Sequence, residues 1–555
     1  MVGYICKYTP EAIFKGFKEE CEKIEPTVAN FDYSDSLTHP NLCSYSRSVL
    51  QDSLKNNYDK IIFVNCCDSI RRIYDVLKKN NPDKFIYILD LPRKNSGCSR
   101  ILYSNELLKL IKAMEEYTGK KFDIEEFKKS LKVDVGATKS SPEIVIMGAR
   151  VRESLAENIK SLTDLRIENQ TCTGQQIHLN TIPETNDLEE LIKWYAEELL
   201  AQTSCMRMEN VISRRKLYEN PNLKGIIYHG IKFCDYYALE FLELKKKLNI
   251  PILKIETDFT NQSEGQIKTR VEAFLESMDK EEIKIENIPK IQDGEKFFVA
   301  GIDSGSTSTN VVIMDENKKI ISSSIVKTGP KCSIGAEQAM EVALEEAKLK
   351  KEDILFTVAT GYGRVSIEYG NEDITEITCH AKGAHFLNPD VRTIIDIGGQ
   401  DSKAIKIDEN GNVKDFVMND KCAAGTGRFL EVMAKGLEIS IEEMSKKGLD
   451  WNEMINISSM CSVFAESEVI SLIAENKEIS DIIHGLNEAI ASRTVALVNR
   501  IGKNPTYMMT GGVAKNRGVV EAIERKIGSE IYIWNEPQIC GAIGAALIAY
   551  DRIKN

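Results

Sequence analysis

A glycine-rich turn between two apolar strands, FFVAGIDSGSTSTNVVIMD at 297–315, restricts this chain more than any other stretch. Dinucleotide-binding and Walker-type loops set their glycines between a strand and a helix, whose N-terminus takes the phosphate. Here a second strand follows, so the unit is a β-hairpin and the Walker design is excluded. Gly305 lets the backbone pass close to a phosphate chain. Ser306, Thr307, Ser308 and Thr309 offer hydroxyl and amide donors, and Asp303 can hold a hydrated Mg²⁺. The pattern returns in TIIDIGGQDSKAIKID at 393–408, with Asp396, Gly398, Gly399, Gln400 and Asp401. A third turn, YMMTGGVAKN at 507–516, joins a strand through Gly511 and Gly512 to a helix start at Asn516, where an adenosine could rest. Three such turns in this order predict an ATP site, with Asp303 and Gln400 as its candidate catalytic residues.

The 555 residues exceed what one hydrophobic core organises, so several domains are expected. No apolar run is long enough to span a membrane, and MVGYICKYTPEAIF lacks a signal-peptide pattern; a cytoplasmic protein without membrane contact is expected. A formal net charge of -12 argues against a nucleic-acid partner, which needs a clustered basic surface. Fourteen cysteines without a secretory signal are not a disulfide framework, which leaves burial or metal ligation to explain them.

Residues 1 to about 290 alternate apolar strands (59–66, 84–92, 143–149, 224–230, 251–256) with amphipathic helices. This is the rhythm of doubly wound α/β lobes. The charged, helix-rich piece 104–142 reads as a connector between two lobes, and ENIPKIQDGEKF at 286–297 as a linker. The expected domains are 1–120 and 121–290, two α/β lobes, and 291–555, the ATPase.

KCAAGTGRFLE at 421–431 sets Cys422 before Gly425, Thr426 and Gly427, and CSVFAESEV sets Cys461 before another helix. Gly425, Thr426 and Gly427 are read as facing the nucleotide. The positive helix ends would stabilise thiolates on an anionic group. Iron–sulfur clusters usually take four thiolates, so two per chain call for a two-fold axis. For Cys332, Cys379 and Cys540 simple burial is expected, because no second ligand lies at metal spacing.

Through GIDSGSTSTN, ATGYGR, DIGGQDSK, NDKCAAGTGRF, CSVFAESEV and TGGVAKN, residues 298 to about 553 resemble the actin-like and sugar-kinase ATPase superfamily. Within it they resemble the activators of 2-hydroxyacyl-CoA dehydratases and benzoyl-CoA reductases. The resemblance implies duplicated α/β subdomains binding ATP/ADP with Mg²⁺. It also implies a homodimer whose subunits share one 4Fe-4S cluster through Cys422 and Cys461. The first half, through GYICKYTP, HPNLCSYSRS, CDSIRRIYD, LDLPRK, CMRM, KFCDYYALE and ETDFTNQSEGQIKTRVEAFLE, resembles the cluster-bearing subunits of the same group, including double-cubane cluster proteins. That implies a 4Fe-4S or double-cubane cluster on Cys43, Cys67 and Cys234, with Cys205 and Cys6 added for a double cubane. Cys66 could replace Cys67, and Cys98 is a weaker candidate. Cys21, on a helix pattern, and Cys172 read as structural or exposed thiols.

His39, His229 and His380 stand alone and are assigned no role. Surface ion pairs account for Arg47, Arg71, Arg72, Arg207, Arg214 and Arg215 as well as anion binding does. The expected function is ATP-driven electron transfer from ferredoxin or flavodoxin, through the activator half, to the first half and on to an acyl-CoA or a small molecule. Radical 2-hydroxyacyl-CoA dehydration, a metabolite kinase of the sugar-kinase type, and a cluster-assembly ATPase are the alternatives.

Overall fold

The computed structural model describes residues 1–55, 58–131, 143–174, 179, 181–208, 212–259, 264–278, 295–419, 423–457 and 462–554. The chain forms two compact units, Met1–Val271 and Glu272–Asn555. Most of the stretch read as a linker, 286–297, lies outside the described residues. Among the described residues no helix is long and apolar enough to cross a membrane.

The first unit holds strands β1 (Val2–Tyr4), β2 (Cys21–Lys23), β3 (Lys60–Val64), β4 (Phe85–Leu89), β5 (Ile144–Gly148), β6 (Ile167–Asn169), β7 (Gly225–Ile231) and β8 (Ile252–Thr257). They make two all-parallel sheets of the same order, β2-β1-β3-β4 and β6-β5-β7-β8. Continuous apolar runs such as Lys60–Val64 are buried along their whole length, as parallel strands covered on both faces require. Helix Asp68–Asn80 follows β3, with Asp68 at its positive end, Lys78 and Lys79 at its negative end, and Ile70, Ile73 and Leu77 buried. Helix Gly97–Thr118, read from sequence as part of a connector, is a core element. It buries Tyr103, Leu107, Leu110, Ile111 and Met114 and packs against helix Leu188–Ala201. Cys21 begins β2 and does not lie on a helix, a correction to the sequence reading: Gly16 ends the preceding helix early.

The second unit repeats one design. Strands β9 (Phe298–Ser304), β10 (Ser308–Asp315), β11 (Ile320–Lys327), β12 (Ile354–Thr360) and β13 (Glu372–Asp373) are followed by β14 (Thr393–Ile397), β15 (Ser402–Ile407), β16 (Val413–Asn419), β17 (Tyr507–Thr510) and β18 (Ile531–Tyr532). Their orders are β11-β10-β9-β12-β13 and β16-β15-β14-β17-β18. In each, the central strand pairs antiparallel with its hairpin partner and parallel with the strand on its other side. These are the duplicated α/β subdomains of an actin-like ATPase fold. Helices Glu376–Leu387 and Cys540–Lys554 pack together, with Gly383 against the Cys540 carbonyl and Gly544 against the Cys379 carbonyl.

Candidate functional site: a nucleotide cradle and a basin of thiols

The duplication places two aspartates at equivalent points. Asp303 ends β9 beside Asn310 and Thr360, and Asp396 ends β14 beside Lys403 and Thr510. Each threonine is followed by a glycine with positive φ, Gly361 at 85° and Gly511 at 82°, where L-residues are strained. A Cβ on either would press on the neighbouring aspartate, 2.6 Å from Asp303 Oδ1 and 2.9 Å from Asp396 Oδ1. Both glycines are needed so that backbone can approach the carboxylates.

His380, assigned no role from sequence, stands between the two halves. Its Nε2 lies 3.9 Å from Asp303 Oδ2 and its Nδ1 3.8 Å from Asp396 Oδ1. A lone histidine on a helix carries no local signal of such a place; only the duplication puts acids on both sides of it. Lys403, also missed, is buried and reaches Asp396 at 3.1 Å and Asp401 at 2.7 Å. The two aspartates differ accordingly. Burial pushes Asp303 up to about 6, helped by the Glu376 and Asp396 charges and only partly offset by His380 and Lys403. Burial also opposes ionisation of Asp396, but the His380 and Lys403 charges and the Thr510 hydroxyl outweigh it and hold that group at about 2.

The turns converge. Gly398 accepts the Gly427 amide at 2.9 Å and Gly399 the Arg428 amide at 2.8 Å, so the Gly425–Thr426–Gly427 loop is docked on the second hairpin. A side chain on Gly399 would overlap Thr307 of the first hairpin, and one on Gly398 would meet Asp401 Oδ1 at 2.7 Å. Gly305 closes its turn by donating to the Ser308 carbonyl at 2.9 Å. The hydroxyl of Thr309 pairs with that of Thr328. Ser306 and Ser308 stand in the same turn, and Gln400 is exposed at the tip of the second. Asn516 caps the helix from Arg517 by accepting the Val519 amide, and its buried Nδ2 has no partner. Gly512 beside it has only the Gln538 side chain near its Cα, at 3.8 Å from an added Cβ. This cradle fits a nucleotide, with close backbone at the phosphates and an unspent buried donor at the third turn. For Mg²⁺, which keeps most of its water and takes one or two carboxylates, Asp303 fits as a buried acid with no lysine or arginine on it among the described residues.

Cys422 and Cys461 lie outside the described residues. The helices after them begin at Gly427 and Ser462. Cys379 and Cys540 are fully buried, and Cys332 is half-buried at the start of its helix.

In the first unit the thiols gather at the carboxyl ends of the parallel strands, where open α/β sheets place ligands. Cys6 follows β1, Cys66 and Cys67 follow β3, Cys172 follows β6 and Cys234 follows β7. Cys43, Cys67 and Cys234 each stand immediately before a helix, Ser44–Lys55, Asp68–Asn80 and Asp235–Lys247. Three positive helix ends therefore point at three thiols. A hydrogen bond from Cys234, aided by the Tyr45 and Ser46 amides and opposed by burial, brings Cys43 down to about 7. Cys67 is lowered by a bond from Cys66 and by the Ile70 and Ser69 amides, and Cys66 is pushed up in exchange.

Cys6, Cys205 and Cys172 form a second group that shares one electrostatic neighbourhood. Burial, then the Cys172 charge, pushes Cys6 up to about 12, and the same two causes raise Cys205. Cys172, read from sequence as structural or exposed, is half-buried, and the pairing of β6 beside β5 carries its loop toward the other thiols. Cys98 is exposed and stays apart. A small cleft of about 10 Å³, room for one water molecule, opens beside Cys172 and Cys205, lined also by Tyr237, Arg214 and Glu240. Among the described residues no three His, Cys, Asp or Glu side chains surround a single point as one metal ion requires. A cubane takes one thiol per iron and so spreads its ligands more widely, and the two thiol groups fit that donor set.

Two arginines depart from the surface-pair expectation. Arg214 is buried on Glu240 at 3.1 Å, and the Arg207 guanidinium is spent on carbonyl oxygens. Arg47, Arg71 and Arg72 pair with Asp35, Asp68 and Asp75, and Arg215 is exposed. His229 is a satisfied core group bonded to the Ala149 carbonyl and the Thr257 hydroxyl, and His39 accepts the Asn41 amide.

Residues 300–549 match the model of the BadF/BadG/BcrA/BcrD ATPase family, and residues 6–134 and 132–278 match that of the 2-hydroxyglutaryl-CoA dehydratase D-component. The chain is 49% identical over 254 residues, 46% of its own length and 98% of the relative's, to an activator of lactoyl-CoA dehydratase from Anaerotignum propionicum. It is 48% identical over 256 residues, 46% of its length and 98% of the relative's, to the (R)-2-hydroxyglutaryl-CoA dehydratase activating ATPase of Acidaminococcus fermentans. Among solved structures it is similar to the activator of the 2-hydroxyisocaproyl-CoA dehydratase from Clostridium difficile with bound ADPNP. There the identity is 44%, the coverage 46% of this chain and 96% of that one, and the TM-score 0.45.

Proposed function

The chain belongs to the BadF/BadG/BcrA/BcrD ATPase family of ATP-hydrolysing dehydratase and reductase activators, and from that premise we propose that its second unit drives low-potential electrons into a reductase site built by its first. The observation that carries the proposal is the thiol basin: Cys6, Cys43, Cys67, Cys172, Cys205 and Cys234 come from both sheets of the first unit to one place. Iron–sulfur clusters, when bound, supply one-electron storage at low potential. Cys43, Cys67 and Cys234 would hold one on three helix ends, Cys6, Cys172 and Cys205 would complete a double cubane, and Cys422 and Cys461 would hold another between two copies of the chain.

In the second unit the paired hairpins seat the phosphates of MgATP, Asp303 takes the cation, and Gln400 at the second turn orients the attacking water. Asp396 is held charged by Lys403 and cannot serve as a proton store. Charge neutralisation and positioning provide most of the catalysis of phosphoryl transfer. Hydrolysis changes the fit between the duplicated halves, and electrons from ferredoxin or flavodoxin move on to the first unit. The substrate would be a small unsaturated molecule or an acyl-CoA thioester.

The match of the first unit to a dehydratase component favours a second reading, radical 2-hydroxyacyl-CoA dehydration, in which the electron is recycled. Electrons consumed per product separate the two. Iron and sulfide counted per chain after anaerobic purification test both. About twelve or twenty irons per dimer support clusters in the first unit, about four confine them to the bridge, and a colourless protein overturns the proposal.

A further inference from the structure

Lys7 is 2% exposed, and its ammonium donates to the Thr203 carbonyl at 2.6 Å. Among the described residues no carboxylate pairs with it. Arg207 is half-buried and also lacks a carboxylate among the described residues: its guanidinium is bonded to the carbonyls of Asn65, Pro92 and Leu91 and to Asn65 Oδ1 at 2.5 to 3.1 Å. A buried cation without a counter-charge is costly. The groups within electrostatic reach that can become negative are the Cys6 and Cys205 thiols and, for Arg207, also the buried Tyr103 phenol. Lys7 follows Cys6 and acts on both Cys6 and Cys205, while Arg207 acts on Cys205 with its charge and its amide.

Resting on the cluster reading above, we propose that Lys7 and Arg207 are the counter-charge of the anionic centre held by Cys6, Cys172 and Cys205, and that Lys7 raises its reduction potential. The other thiol group is served differently, by backbone amides at helix starts. Two full positive charges therefore bear on the half of the basin that lines the cleft through Cys172 and Cys205. An electron leaving the Cys43, Cys67 and Cys234 side would oxidise that side and reduce the side of Cys6, Cys172 and Cys205, so electrons would be drawn toward the second thiol group.

The test is Lys7→Gln in the anaerobically purified full chain. Its amide can keep the Thr203 bond while the charge is lost. Redox titration followed by electron paramagnetic resonance should show the signal that Cys172→Ser abolishes become at least tenfold harder to reduce, about 59 mV for one electron. The signal that Cys234→Ala abolishes should stay in place. Unchanged midpoints for both signals in Lys7→Gln overturn the proposal. If Lys7→Gln takes up no iron on the cleft side, restoration by Lys7→Arg supports the charge role, and equal loss in Lys7→Arg overturns it. Wild-type protein without any iron–sulfur signal would overturn the cluster reading itself, a result distinct from unchanged midpoints.

Discussion

Asp303 faces Asn310 across its hairpin, whereas Asp396, at the same place in the second subdomain, faces Lys403. Asp303, with no lysine or arginine paired to it among the described residues, lies at about 6, and Asp396 is held at about 2 by the His380 and Lys403 charges and the Thr510 hydroxyl. Asn310 spends its amide on the Gln538 carbonyl at 3.1 Å and gives Asp303 no cation. The second subdomain carries an internal ion pair where the first keeps an acid with no lysine or arginine on it among the described residues.

The same substitution at the two positions should therefore have opposite effects on stability. Asp303→Asn removes a charge whose burial is unfavourable and should stabilise the second unit, free of nucleotide and metal, by roughly 2–3 kcal/mol at pH 7. The folded value of Asp303 lies above its unfolded one, so the cost of its ionisation appears as pH rises from about 4 to about 6. The gain from Asp303→Asn should accordingly vanish as pH falls through that window. Asp396→Asn leaves Lys403 with a broken partner and should destabilise by about 3 kcal/mol. Urea unfolding at pH 7 and pH 4 checks both signs; equal effects at pH 7 would contradict the compensation argument.

Gly398→Val should reduce ATP turnover by more than about a hundredfold, since the side chain would strike Asp401 and displace the backbone from the phosphates. Circular dichroism should remain native, because the turn is at the surface of its sheet. Normal turnover would remove the second hairpin from the phosphate site.

Cys172→Ser should lower the iron bound per chain while Cys21→Ser should not, although sequence alone puts both outside the ligand set. Iron analysis against protein concentration decides this; equal iron in Cys172→Ser and wild type would return Cys172 to a packing role.

Cys234→Ala should leave ATP hydrolysis intact and abolish substrate reduction, since the ATPase residues all follow Glu272 and the thiol belongs to the first unit. Parallel assays of phosphate release and of reduction of a small alkyne measure the split. Undiminished reduction would take the Cys43, Cys67 and Cys234 group out of the electron path.

The hairpin turns were legible because strand periodicity and glycines mark them locally, and the five longer strands of the first unit because each is a solid apolar run. β1, β2 and β6 are three residues long and give no periodic signal, so the lobes' common strand order was hidden. The group of Cys6, Cys172 and Cys205 depends on that hidden pairing. His380 and Lys403 depend on the duplication seen in three dimensions, where the neighbours of one strand decide whether an acid is compensated. Cys43, Cys67 and Cys234 were found through the motifs around them, and the structure adds what those motifs share, a helix starting at the next residue.

Helices Glu376–Leu387 and Cys540–Lys554 cross with a glycine of each laid against a carbonyl of the other. At such a crossing backbone meets backbone, with Cys379 of one helix and Ile543 and Leu547 of the other in the apolar cluster around it. The joint behind the two aspartates is therefore a seam of bare backbone, closed to a side chain at either glycine.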